Sequence, residues 1–191
     1  MKKKAKRFQL KITIKGSKPL IWRRVIVDSN LLLEDLHLVI QTIMPWLDYH
    51  MHQFVCDKLY YGPSEDVDES YIDLIDYSGI KLSDLIDCEK DKMMYEYDFG
   101  DDWQHAIVIE KILPPTDSES RVEYVTGKNA SPPEDCGGLP GYARMQEVLN
   151  DPSSDVYNEM RDWLGLEGDE QFDPSDVGFE ADEINDDLCG I

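Results

Sequence analysis

The sequence predicts an α+β fold: a mixed, mainly antiparallel sheet with one helix packed on it, and further helices toward the C-terminus. Three observations carry that prediction. Residues 8–15 and 95–109 alternate apolar and polar side chains with period two, as half-buried strands do. Residues 31–44 instead repeat Leu32, Leu36, Val39, Ile40 and Ile43 at helical spacing. Beyond Ile112, Pro, Gly and acidic residues take over, and short helical patterns replace strand patterns.

Taken in order, Phe8, Leu10, Ile12 and Ile14 share one face of the first strand, with Gln9, Lys11, Thr13 and Lys15 on the other. Gly16-Ser17-Lys18-Pro19 turns the chain, and Leu20 to Val27 returns as its hairpin partner. Asp28-Ser29-Asn30 offers N-caps for the helix that Pro45 closes. His37, at the edge of its apolar stripe, reads as a packing residue. Trp46 to Phe54 leads into another strand, on which His50, His52 and Phe54 would point the same way. Residues 64–70 read as an acidic surface loop, Ile72 to Ile80 as a short strand or hairpin, and Leu82 to Ile86 as one helical turn. Tyr95 to Glu110 reads as a hairpin around Gly100-Asp101-Asp102, with Tyr95, Tyr97 and Phe99 on one face and Trp103, His105, Ile107 and Ile109 on one face after the turn. A short strand at Val122 to Thr126 follows. Residues 131–142 look too rich in Pro and Gly for regular structure. Helices are expected at Tyr142–Leu149, at Ser153–Leu164 with Val156, Tyr157, Met160, Trp163 and Leu164 buried, and near Ala181–Leu188.

A chain of 191 residues is long enough for one domain with a sizeable core. Residues 1–113 would form the sheet and helix, and 114–191 a loop and helical region. Hairpin, helix and further strands in that order allow a β-grasp-like core. The net charge is −21, unevenly spread: residues 1–24 carry ten Lys or Arg and no acid, leaving 9 basic and 40 acidic side chains in residues 25–191. So acidic a body argues against direct nucleic-acid binding and against anionic membranes. It points to solubility, cation binding or a basic protein partner. No apolar run approaches the roughly 18 residues of a transmembrane helix. The basic start is followed by an alternating strand pattern, which is not the apolar core of a secretion signal. Cys56, Cys88, Cys136 and Cys189 are scattered without a C-x-x-C pair, as reduced cytoplasmic thiols would be.

Several linked motifs give the chain a resemblance. They are L-K-I-T-I-K-G-S-K-P-L-I-W-R-R-V at 10–25, L-H-L-V-I-Q-T-I-M-P-W-L-D-Y-H-M-H-Q-F at 36–54, Y-E-Y-D-F-G-D-D-W-Q-H at 95–105 and P-P-E-D-C-G-G-L-P-G-Y at 132–142, with F-D-P near 172 and D-E-I-N near 182. With these motifs the chain resembles the plasmid pRiA4b ORF-3-like family over nearly its whole length. The resemblance implies no defined activity. Some members look like mobile-element passengers with a resolvase-like label, but no resolvase pattern of a serine among arginines occurs here. Two departures stand out: Ser131 replaces a cysteine often found before P-P-E-D-C, and Gln104-His105-Ala106 follows Trp103 where members often have R-H-E.

All four histidines lie inside these motifs. His50, His52 and His105, with Asp98 and Asp101 and the neighbouring Asp102, form a candidate Zn or Mn site if the hairpin lies beside residues 50–54, since imidazole and carboxylate suit those ions. Against it, the carboxylates could serve the turn and the histidines the core. Cys136 before Gly137-Gly138 is a candidate nucleophile with a backbone nest, or else a packed thiol. Trp22, Arg23, Arg24 and Trp103 are candidate binding residues, the arginine forks suiting carboxylate or phosphate. No phosphate-binding glycine motif occurs. The sequence therefore favours a cytoplasmic binding or accessory module, serving a mobile-element or nucleic-acid-processing system through a protein partner. The alternative is a metal-dependent hydrolase using the His/Asp cluster.

Overall fold

The computed structural model describes residues 5–63, 74–116 and 120–191; the acidic stretch 64–70 and residues 72–73 lie outside them. Eight described strands make one sheet. They are β1 (Arg7–Ile14), β2 (Trp22–Asp28), β3 (His52–Cys56), β4 (Leu59–Gly62), β5 (Leu74–Asp76), β6 (Lys92–Tyr97), β7 (Trp103–Leu113) and β8 (Val122–Lys128). Their order is β5-β4-β3-β6-β7-β1-β2-β8. Every neighbouring pair is antiparallel except β4 and β5. The α+β reading with a mixed, mainly antiparallel sheet is what the chain adopts.

Period two explains the core. Phe8, Leu10, Ile12 and Ile14 of β1 are fully buried, as are Val25 and Val27 of β2 and Ile107 and Ile109 of β7. Helix α1 (Leu33–Ile43) lies on this face, burying Leu33, Leu36, His37, Val39, Ile40, Gln41 and Ile43. Its start differs from expectation. Leu32 is the N-cap and makes no side-chain cap bond. Instead the Leu33 N–H donates to the Ile80 carbonyl at 2.9 Å. A neighbouring backbone thus satisfies a donor that a helix start otherwise leaves to a cap. That backbone precedes the single turn α2 (Leu82–Leu85).

The C-terminal region corrects the sequence reading twice. Helix α3 (Gly138–Leu149) begins inside the Pro/Gly stretch. Pro140 sits in its first turn, where no intrahelical partner is lost with the missing N–H. Helix α4 (Tyr157–Trp163) is shorter than expected and has no buried residue. Helix α5 (Ala181–Leu188) buries Ile184 and Leu188. Its Asn185 accepts the Tyr124 N–H at 2.6 Å and faces the Tyr124 carbonyl at 3.3 Å. A side-chain amide thus imitates the next strand on edge strand β8, which protects that edge.

Candidate functional site

Three of the motifs meet at one end of the central hairpin. They are the connection from α1 to β3, the turn between β6 and β7, and the loop before α3. Trp46 is the hub beneath them. Its indole stacks on Tyr97 at 5.0 Å, meets His105 edge-on at 5.3 Å, and donates to the Pro132 carbonyl at 2.8 Å. Above it, the Tyr97 hydroxyl donates to Glu134 Oε1 and accepts the Tyr49 N–H. Glu134 Oε2 accepts the Leu47 N–H at 2.9 Å. One carboxylate therefore ties the loop to both other segments.

The turn is tied in as well. Asp98 is buried, with its Oδ1 accepting the N–H groups of Gly100 and Asp101. Strand β6 ends at Tyr97 and Asp98 takes a left-handed φ of 53°, so Phe99 leaves the inward face that alternation assigned to it. Asp101 accepts the Gly137 N–H at 3.0 Å. The Gly137 N–H before α3 thus meets a carboxylate, and it is this chain's own. Gly138 lies so close that a Cβ there would stand 2.5 Å from the Asp101 carbonyl oxygen. At its φ of 65° only glycine is unstrained.

The histidines divide into separate environments instead of one cluster. His50 precedes β3, because the strand starts at His52. His52 points into the core, where its ring stacks on His37 at 3.5 Å with planes 4° apart. His52 Nε2 meets the Tyr77 hydroxyl at 3.0 Å, and His37 Nδ1 meets the Tyr95 hydroxyl at 2.8 Å. Gln41 Nε2 donates to that same hydroxyl at 2.9 Å, so the Tyr95 proton is free to go to His37 Nδ1. His37 Nε2 then faces Asp48 Oδ1 at 3.0 Å. Burial, with His37 alongside, pushes His52 down to about 3, and burial lowers His37 against the opposing pull of Asp48. His105 is fully buried and held near 4 by desolvation. Its Nδ1 lies 3.1 Å from the Trp103 carbonyl, so Nδ1 carries the proton of the neutral ring.

His50 is the exception. Its Nε2 lies 3.2 Å from Asp135 Oδ1 and 3.7 Å from Asp98 Oδ2. Asp135 and Glu134 belong to P-P-E-D-C, a motif legible in the sequence whose acids were not singled out as site residues. His105 and Asp101 stand in neither of the two described groups that bring histidine and carboxylate atoms within 4.8 Å of one another.

The remaining candidates also separate. Arg23 shares the inward phase of Val25 and Val27 and is fully buried. Its Nε donates to the Ile43 carbonyl, its Nη1 to the carbonyls of Trp22, Lys128 and Asn129, and its Nη2 to Ser131 Oγ. Desolvation lowers it to about 10. Arg24 points outward and holds Glu110 through two bonds of 2.6 and 2.9 Å, which keeps that carboxylate down at about 2. Trp22 lies on the same outer face under Arg24 and Lys11, both 4.9 Å from its ring. The arginine pair is thus not one surface patch, and Trp103 is a core residue. Cys136 is held up at about 12 by burial and by Asp101. It is a thiol at neutral pH, which argues against a nucleophile.

The motifs that build this junction are those of a known family. The model described as "Plasmid pRiA4b ORF-3-like protein" matches residues 6–181. The chain belongs to that family. Within it, the uncharacterized protein y4hQ of Sinorhizobium fredii (strain NBRC 101917 / NGR234) is 34% identical over 158 residues, covering 82% of this chain and 80% of that one. The crystal structure of protein of unknown function MM3350 from Methanosarcina mazei Go1 is 38% identical, covering 95% of this chain and 98% of that one with a TM-score of 0.80. Neither relative's name carries an activity. Among the described residues no helix is long and apolar enough to cross a membrane.

Proposed function

We propose that this chain is a binding module whose working surface is the end of the hairpin where the three motifs meet. The observation that carries this reading is an exposed apolar rim on a firmly tied base. Leu47, Tyr49, Met51 and Phe99 are 64%, 72%, 51% and 48% exposed. They are neighbours: the Asp98 N–H donates to the Met51 carbonyl at 3.0 Å, and Tyr49 is bonded to Tyr97. Large apolar side chains gathered on a preorganised surface are what a protein partner uses. Asp48, Asp102 and Asp135 are exposed among them, in a chain of net charge −21. The partner surface that complements this is apolar with basic side chains around it.

The hydrolase alternative has less support, because two of its three histidines, His52 and His105, are buried in the core. To test the binding reading, Tyr49→Ser/Phe99→Ser is compared with the native protein in cross-linked capture from extracts of the source cells. The double variant is expected to melt within a few degrees of the native protein and to lose the captured protein. Equal capture by both would overturn the assignment of this surface.

A further inference from the structure

We infer that His50, Asp98 and Asp135 form a binding site for a divalent ion of the zinc or manganese type. The partner surface plays no part in this inference, and either can fail without the other. The three ligand atoms come from three segments far apart in sequence: the connection before β3, the hairpin turn and the loop before α3. They lie within 4.8 Å of one another. An ion with bonds of about 2.1 Å sets adjacent ligands roughly 3.0 Å apart in an octahedron and about 3.4 Å apart in a tetrahedron. The Nε2–Oδ separations of 3.2 and 3.7 Å are close to that scale.

Two further observations distinguish the site from an ordinary ion pair. His50 Nε2 is shielded from solvent and has no hydrogen-bond partner among the described residues, although both carboxylates are close. The second is support from behind. Asp98 Oδ1 is occupied by two backbone N–H groups, which leaves Oδ2 turned to His50, and the His50 ring stands edge-on to Tyr97 at 5.7 Å. Ligands of a bound ion are commonly oriented in this way by their outer partners.

The other group, His37, Asp48 and His52, also leaves a shielded imidazole nitrogen, His37 Nε2, without a hydrogen bond beside a carboxylate, but its two rings are placed so that they cannot share an ion. Imidazole lone pairs lie in the ring plane, and two parallel rings 3.5 Å apart cannot both direct theirs to one ion. His37 Nδ1 and His52 Nε2 already meet tyrosine hydroxyls.

One imidazole and two carboxylates suit Zn²⁺ or Mn²⁺; the single nitrogen sets the site apart from all-oxygen Mg²⁺ or Ca²⁺ sites, and the absence of sulfur from copper(I) sites. Three protein ligands leave coordination positions open. Asp135 also lines a groove of about 320 Å³ with Cys136, Arg144, Met145, Met160 and Trp163, so a ligand on the ion would have space beside it.

Calorimetric titration of metal-free protein with Zn²⁺ and with Mn²⁺ tests this. The expected result is one ion per chain for at least one of the two, weakened at least about tenfold in His50→Ala and in Asp135→Asn. Asp48→Asn, in the rejected group, is expected to bind within about twofold of the native protein. Asp135 is exposed, so its variant reports on the site even if His50→Ala folds poorly. Binding of neither ion below about 1 mM would overturn the site. So would affinity unchanged in Asp135→Asn, or lost in Asp48→Asn.

Discussion

His50 and His52 stand two residues apart in one motif, and Arg23 and Arg24 stand side by side, yet each pair is split between two environments. His52 and Arg23 face the core, where burial lowers both and neutral partners surround them. His50 and Arg24 face carboxylates, at the end of the hairpin and on the outer face of the sheet. A polar residue in this fold takes its role from strand phase and strand start more than from its type.

The arginines give the largest contrast. Arg23→Met leaves four carbonyls and a serine hydroxyl without their donor, and loss of one partner of a buried polar network costs about 3–5 kcal/mol. Arg24→Met removes an ion pair on the outer face whose side chains are each 25% exposed, and it is expected to cost less, about 1 kcal/mol. Urea unfolding measures both, and equal losses would break the comparison.

At the junction, Gly138→Ala is expected to destabilise by about 1–3 kcal/mol, through its left-handed φ and the approach to Asp101. Faster amide exchange at Gly137 would locate the damage in the loop. Unchanged stability there would mean that the glycine contact does not hold the loop.

Acid separates the histidines. A histidine titrates near 6.5 when unfolded, whereas His52 is held near 3 and His105 near 4 in the folded chain. Between those limits the unfolded chain binds protons that the folded chain does not. Their contribution is therefore present above about pH 6.5 and is lost as the pH falls toward 4 and below. The urea midpoint is expected to fall over that window, and less steeply in His52→Phe, which keeps an aromatic ring there. An equal slope in that variant would contradict the burial of a neutral His52.

A similarly small effect is expected for Glu134→Gln. It keeps the shape but weakens two hydrogen bonds accepted by a carboxylate, at a cost of about 1 kcal/mol. Solvent exchange at the Leu47 amide should rise with it. A stabilised variant would mean that the loop is held by Trp46 alone.

Much of this was legible in the sequence. The strands around Leu10, Tyr95 and Ile107 show their period, and Ala181 to Leu188 shows its helix. The inward turn of Arg23 was legible too, since it alternates in step with Val25 and Val27. What could not be read was where strands start and stop. Alternation carries His50 into β3 and Phe99 into β6, but the bonds of Tyr97 to Tyr49 and of Asp98 to its own turn end those strands earlier. Likewise, Glu134 and Asp135 gain meaning only once a loop more than thirty residues past the turn folds back onto it. The helix at Gly138 was hidden because Pro140 reads as a breaker until its place in the first turn is known.

The most direct test is to follow the histidine ring resonances of ¹⁵N-labelled protein by long-range ¹H–¹⁵N correlation at pH 7 during Zn²⁺ addition. The His50 Nε2 signal is expected to move to a metal-bound position while His37, His52 and His105 stay neutral and unmoved. Movement of the His37 and His52 signals instead would contradict the division of roles between the core and the end of the hairpin, and movement of none of the four would contradict a zinc site at His50.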